Sequence, residues 1–197
     1  MAKIHPKLEQ ITNNLSEKET YTIWMKSLIF HGNGCTIFNS RGEIVFRVDN
    51  YQQRCSTKVF LMDSEGQVLF SLTRKKLRIF PCWEGFKWID SKAGKTERLP
   101  WFQVRRNHRI LGRDTSCKVS FKCDEKVGSC YKILGLEGKS MLKIIDFSGQ
   151  ILAEAIQKQT SGVALGDDVL TLMVEADADQ SLVMALITVY GLINNKL

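Results

Sequence analysis

The sequence of 197 residues lacks most of the features from which metal centres and common catalytic sites are built. It has only three histidines, and its six cysteines include no C-x-x-C pair, so no tetrahedral zinc set can be assembled. The G-x-S-x-G elbow, the phosphate-binding P-loop and the H-E-x-x-H motif are all absent. We therefore expect a protein that is not an enzyme and holds no metal or cofactor.

A secretory signal is absent as well, because the segment Met1–Gln10 contains no apolar core. The start Met1-Ala2 offers no glycine for myristoylation. These features predict an intracellular protein, cytoplasmic, nuclear or both. In a reducing compartment we expect the thiols to form no disulfide and to be mostly buried. They are Cys35, Cys55, Cys82, Cys117, Cys123 and Cys130.

Long hydrophobic runs are missing with one exception, the stretch from Leu182 to Ile193, in which only Thr188 and Gly191 are not apolar. As a helix its twelve residues would span about 18 Å, which is short of the about 30 Å hydrocarbon core of a bilayer. A helix that is apolar all round and does not span lipid must be buried in protein. Asp177, Asp179 and Ser181 lie just before the run, where an N-cap and the positive end of a helix dipole favour such residues, so we predict a central helix at about 179–194.

Upstream of this run the pattern is that of strands joined by a recurring hairpin turn. Asn39-Ser-x-Gly and Asp63-Ser-x-Gly each separate two apolar strands, Asp146-Phe-Ser-Gly does the same, and Asp90-Ser-x-Ala-Gly is a looser copy. Asp or Asn opens a type I turn, and Gly supplies the positive φ of the bulge that follows. About twelve strands need protected edges, and a closed barrel provides them. Such a barrel is too wide for its own side chains to fill, so the apolar helix fills it.

The predicted fold is therefore mainly β, a closed barrel of about twelve strands that encloses a hydrophobic C-terminal helix. We read residues 1–19 as a flexible N-terminal extension and residues 20–197 as a single domain. The chain has 28 Lys and Arg against 21 Asp and Glu, a net charge of +7, which permits an anionic partner.

From about Tyr21 to Ile193 the chain resembles the LURP-one-related family of plant proteins. The resemblance rests on Gly34–Val48 with Asp49-Asn50-Tyr51, Leu61–Gly66, Arg74–Leu77 leading into Trp83–Phe86, Gly166–Leu172, and Met184-Ala185-Leu186. It implies a fold similar to the tubby C-terminal domain and to phospholipid scramblases, a twelve-stranded barrel threaded by a helix. It also implies a link to plant defence, without a settled biochemical activity.

Two basic clusters are candidate sites for anionic headgroups. The first comprises Arg74, Lys75, Lys76 and Arg78, and the second comprises Arg105, Arg106 and Arg109. The alternative for both is a solvated edge or loop, because lysines also discourage edge pairing. The two clusters lead us to expect a binding or adaptor module attached peripherally to a membrane through phosphoinositide headgroups.

Other functions stay open at this point. We expect a monomer in every case. A protein-interaction or transcription-linked factor without lipid binding is the main alternative, and nucleic acid is a further partner for the second cluster. Calcium-regulated lipid scrambling is the least favoured, because Asp167, Asp168, Asp177 and Asp179 lack the spacing of a calcium loop.

Overall fold

A computed structural model describes residues 18–25, 33–50, 58–75, 82–89, 97–107, 116–122, 130–136, 141–166 and 168–194. Within these residues the chain forms fourteen strands followed by one helix. In chain order they are β1 (Glu19–Trp24), β2 (Asn33–Phe38), β3 (Ile44–Asn50), β4 (Lys58–Asp63), β5 (Val68–Lys75), β6 (Cys82–Ile89), β7 (Glu97–Arg106), β8 (Cys117–Phe121), β9 (Cys130–Leu136), β10 (Met141–Ile145), β11 (Ile151–Gln157), β12 (Gln159–Thr160), β13 (Val163–Ala164), β14 (Val169–Val174) and α1 (Gln180–Ile193).

Twelve strands close into one antiparallel barrel, in the order β1-β14-β11-β10-β9-β8-β7-β6-β5-β4-β3-β2. The closed barrel and its single C-terminal helix confirm the predicted fold class. The remaining two strands, β12 and β13, form a separate hairpin in the connection from β11 to β14. The sequence pattern does not predict that hairpin.

Three of the hairpins close with the predicted turn. The side-chain oxygen Oδ1 of Asn39, Asp63 or Asp146 accepts hydrogen bonds from the backbone N–H groups two and four residues later, at 2.8–3.0 Å. Gly42, Gly66 and Gly149 follow with φ of 80°, 85° and 90°, and the strand register shifts beside each turn. The fourth, looser copy lies outside the described residues after Ile89.

Helix α1 lies in the hydrophobic core that the inward faces of the strands form. Of the three acidic or hydroxyl residues expected near its start, Asp179 is the N-cap, since its side chain accepts a hydrogen bond from the N–H of Leu182 at 3.0 Å. Every residue from Leu182 to Gly191 is buried, whereas Ile193, which we expected to be fully buried, is half-buried near the end of the helix. The first turn of α1 is tied to β1, because Gln180 contacts both Tyr21 and Glu19.

The direction of the strands defines the two ends of the barrel. The turn between β10 and β11 lies beside the start of α1, where Asp146 and Gln150 line a cavity of about 210 Å³ together with Asp177 and Asp179. We call this the N-cap end. Because neighbouring strands are antiparallel throughout, β1, β3, β5, β7, β9 and β11 all run from the N-cap end to the opposite C-cap end, towards which α1 also runs.

Four of the six cysteines lie in the described residues. Cys35, Cys82 and Cys117 are buried, Cys130 is half-buried, and all four are free thiols. Burial next to the helix raises the pKa of the Cys35 thiol to about 12, so it is protonated at neutral pH. Cys55 and Cys123 lie outside the described residues, as does most of the predicted extension, and β1 begins at Glu19.

Candidate functional site

The barrel brings members of the two predicted basic clusters together across β6. Lys75, the last residue of β5, lies opposite Cys82, which in turn lies opposite Arg105 on β7. Residues directly opposite in an antiparallel pair share a face, so Lys75 and Arg105 lie on the same outer face, about 10 Å apart across two strand spacings. Both are exposed, whereas Cys82 between them is buried.

The neighbouring cations of the same clusters have a different orientation. Arg74 lies opposite Trp83, in the register row that contains the core residue Val104. Arg106 lies opposite Cys117, which is also in the core. Successive side chains of a strand point to opposite faces, so these two arginines are in register with residues that face the inside of the barrel, at its C-cap end. Arg74 is exposed at the strand end and Arg106 is half-buried. Lys76, Arg78 and Arg109 lie outside the described residues.

The register extends the outer face to two lysines that the sequence reasoning did not select. Arg105 lies opposite Lys118 on β8, and Lys118 lies opposite Lys132 on β9. Both lysines are exposed. We define the basic row as the four exposed cations that this register aligns on β5, β7, β8 and β9, namely Lys75, Arg105, Lys118 and Lys132.

A single buried carboxylate lies beside the basic row. Glu84 on β6 is 5% exposed, and its oxygens accept hydrogen bonds from Lys122 Nζ at 2.8 Å and Lys75 Nζ at 3.0 Å. Gln103 links Glu84 to the row, because its Nε2 lies 3.5 Å from Glu84 Oε1 and its Oε1 accepts from Arg105 Nη2 at 2.9 Å. Two cations of the row are thus held by one hydrogen-bonded network.

The electrostatics of Glu84 are dominated by these lysines. Burial alone would raise the pKa of Glu84, but the hydrogen bonds and charges of Lys122 and Lys75 outweigh it and hold the pKa below its ordinary value. Glu84 is therefore ionised at neutral pH and offsets part of the positive charge at this surface. An external anion would compete with this carboxylate for Lys75 and Lys122.

The residues that sequence reasoning missed carry no local signal. Lys118 and Lys132 are single lysines at alternate strand positions, and fourteen residues separate them along the chain. Only the pairing of β7, β8 and β9 aligns them with Arg105. Glu84 follows Trp83 in a strand whose pattern gives no sign that its carboxylate is buried.

The residues that the structure describes offer no metal centre. Among the residues described, no group of three or more His, Cys, Asp or Glu side chains is arranged to hold a metal ion. The carboxylate of Asp179 serves the helix N-cap. Of the helices in the described ranges, none combines the length and apolar character needed to cross a bilayer.

Comparison with known proteins places this fold in a family. The family model described as LURP-one-related matches residues 19–191. Protein LURP-one-related 11 of Arabidopsis thaliana is 41% identical over 98% of this chain and 89% of that relative, and protein LURP-one-related 4 of the same plant is 40% identical over 98% and 87%.

A solved structure supports the same architecture. The X-ray structure of a protein from Arabidopsis thaliana superimposes with a TM-score of 0.60 at 15% identity, covering 90% of this chain and 92% of that one. At this identity the likeness concerns the fold alone. The family model and the relatives cover nearly the whole barrel and its helix, and the chain belongs to the LURP-one-related family.

Proposed function

We propose that this protein is a non-enzymatic binding module that attaches to anionic membrane surfaces by holding phosphoinositide headgroups at the basic row. One observation carries the proposal, which is that Arg105, Lys118 and Lys132 lie directly opposite one another on three successive strands. Like charges in directly opposite positions destabilise a sheet. A multivalent anion bound across the row would remove this repulsion.

The chemistry of the row suits phosphate groups. Arginine and lysine form short charge-assisted hydrogen bonds to phosphate oxygens, and arginine can form two in parallel. Because these cations stand on adjacent strands of a closed barrel, their backbone positions are already fixed, and binding one ligand has to order only the side chains. Lys75 and Lys122 add further positive charge once an anion displaces Glu84 from them.

In this proposal the protein is intracellular and lies peripherally at the plasma membrane. Its role in plant defence signalling is proposed from the family resemblance. The competing hypothesis is a protein-interaction or transcription-linked factor with no lipid role. The two differ in what they predict for purified protein and vesicles. Only the first predicts binding that depends on the inositol phosphates of the headgroup.

The test is co-sedimentation with vesicles of equal surface charge, one set containing a phosphoinositide and the other phosphatidylserine. The double variant R105Q/K118Q removes two charges from the basic row. Each Lys or Arg near an anionic surface is worth about 1 kcal/mol, so affinity for the phosphoinositide vesicles should fall about 30-fold. Melting should hardly change, because both side chains are exposed.

A matched control is K18Q/R41Q, which removes the same charge from two exposed cations at the N-cap end. It should keep nearly the wild-type affinity. Equal losses in both double variants, equal binding to the two vesicle types, or binding that moderate salt abolishes would favour non-specific adhesion and sink the proposal. A short duplex DNA at the same salt tests the nucleic-acid alternative.

A further inference from the structure

The β12–β13 hairpin is a protrusion at the C-cap end of the barrel. All six residues from Gln159 to Ala164 are exposed. Ser161 and Gly162 both have positive φ, 52° and 79°, which is the backbone of a tight two-residue hairpin turn. Backbone hydrogen bonds fix the base of the hairpin to β14. The N–H of Lys158 donates to the carbonyl oxygen of Val169 at 2.8 Å, and the carbonyl oxygen of Lys158 accepts from the N–H of Leu165 at 3.0 Å. Lys158 Nζ also donates to Thr22 Oγ1 on β1 at 2.6 Å.

This protrusion presents apolar side chains to solvent. Val163 is 68% exposed and Leu165 is 50% exposed. Trp24, which ends β1 at the same end, is 38% exposed and lies opposite Val169, the first residue after this connection. Aliphatic side chains beside an amphipathic tryptophan are typical of surfaces that enter the boundary between headgroups and acyl chains.

The charges of the barrel are unevenly distributed between its ends. At the N-cap end the described carboxylates outnumber the described cations, being Glu19, Glu43, Asp63, Glu65, Asp146, Glu175, Asp177 and Asp179 against Lys18, Arg41, Arg47, Lys87 and Lys132. Towards the C-cap end the order reverses, with Lys58, Arg74, Lys75, Arg105, Arg106, Lys118, Lys122 and Lys158 against Asp49, Glu84 and Asp168, since the ammonium group of Lys122 contacts Glu84. An anionic surface would therefore attract the C-cap end and repel the N-cap end.

We propose that the C-cap end docks on an anionic lipid surface and that the β12–β13 hairpin inserts Val163 and Leu165 below the headgroups. This inference rests on the proposed function, which supplies the phosphate contacts of the basic row. The row begins near the C-cap end with Lys75 and Arg105 and ends at Lys132, which lies opposite Ile145 nearer the N-cap end, whereas the hairpin leaves the barrel between β11 and β14. Because the barrel would touch the membrane through two separate groups of strands, its axis would point towards the membrane. Attachment by one apolar and one electrostatic element is stronger than by either alone.

The test uses the exposed double variant V163S/L165S and vesicles of phosphatidylcholine containing a phosphoinositide. We expect affinity to fall about tenfold from the loss of two partly inserted aliphatic side chains. The salt dependence of the remaining binding should stay that of the wild type, because no charge is removed. The control I44S/F147S makes equivalent changes at exposed apolar residues of the N-cap end, 40% and 73% exposed, and should leave the affinity unchanged.

The outcomes distinguish the hairpin insertion from the proposed function on which it rests. If the wild type binds and R105Q/K118Q weakens binding while V163S/L165S does not, the hairpin insertion is wrong and the proposed function stands. Equal losses in V163S/L165S and I44S/F147S would also overturn the insertion, because the N-cap end would then contact lipid. If the wild type does not bind the vesicles, both proposals fail. Unchanged melting of V163S/L165S ensures that a lost affinity reports on the surface.

Discussion

Replacing Glu84 with glutamine should strengthen binding to anionic vesicles while it weakens the fold. The substitution keeps the shape of the side chain and removes the charge that now holds Lys75 and Lys122. The surface beside the basic row gains one net positive charge, which is worth about 1 kcal/mol near an anionic membrane. Affinity for phosphoinositide vesicles should therefore rise about fivefold.

The loss of stability in Glu84→Gln should be modest. Removing one partner of a fully buried ion pair costs about 3–5 kcal/mol, because the other charge stays buried. Here the two lysine side chains are 51% and 42% exposed, so water can solvate the released ammonium groups. We expect a loss of about 1 kcal/mol, or about 2–4 °C in the melting temperature for a protein of this size.

The stability difference should depend on pH with a definite sign. The folded-state pKa of Glu84 is below its ordinary value, so the carboxylate stabilises the fold at neutral pH, and this contribution is lost as the pH falls through the folded value. Urea unfolding of wild type and E84Q should differ at pH 7 and converge in acid. The control is E154Q. It removes a carboxylate of β11 that forms an ion pair with Lys143 of β10 at 3.0 Å, and it should leave binding unchanged. Weaker binding by E84Q would refute the competition between Glu84 and the external anion.

Two further predictions concern the core. Leu186 is completely buried in α1, so Leu186→Ala should destabilise the protein by about 2–5 kcal/mol in chemical unfolding, and a loss below 1 kcal/mol would contradict a helix packed inside the barrel. The cysteines should form no disulfide, so alkylation of the protein unfolded in denaturant should add six labels whether or not reductant is present. A mass that changes with reductant would show otherwise.

Much of the fold could be predicted because the signals that determine it are local. Asn39, Asp63 and Asp146 each accept backbone hydrogen bonds within their own turn, so the motif alone identifies a hairpin. The helix could be predicted because an apolar run of that length has few other solutions. The β12–β13 hairpin was missed because its strands have two residues each, too short to show an alternating pattern.

The candidate site was less predictable because it depends on register. A run such as Arg74-Lys75 looks like one cluster in the sequence, but alternation sends the two side chains to opposite faces of β5. Conversely, Lys118 and Lys132 are isolated in the sequence and become neighbours of Arg105 only through strand pairing. Which strands pair, and in which register, is set by the whole barrel and not by residues near each lysine.

The most direct measurement of the central claim is a nuclear magnetic resonance titration of the wild-type protein with soluble inositol 1,4,5-trisphosphate. The backbone amides of Lys75, Arg105, Lys118 and Lys132 should shift together along one binding curve, with those of Glu84 and Lys122. The turns at Asn39 and Asp63 should stay unchanged. Shifts that fail to saturate, or that spread evenly over exposed lysines at both ends, would contradict a headgroup site at the basic row.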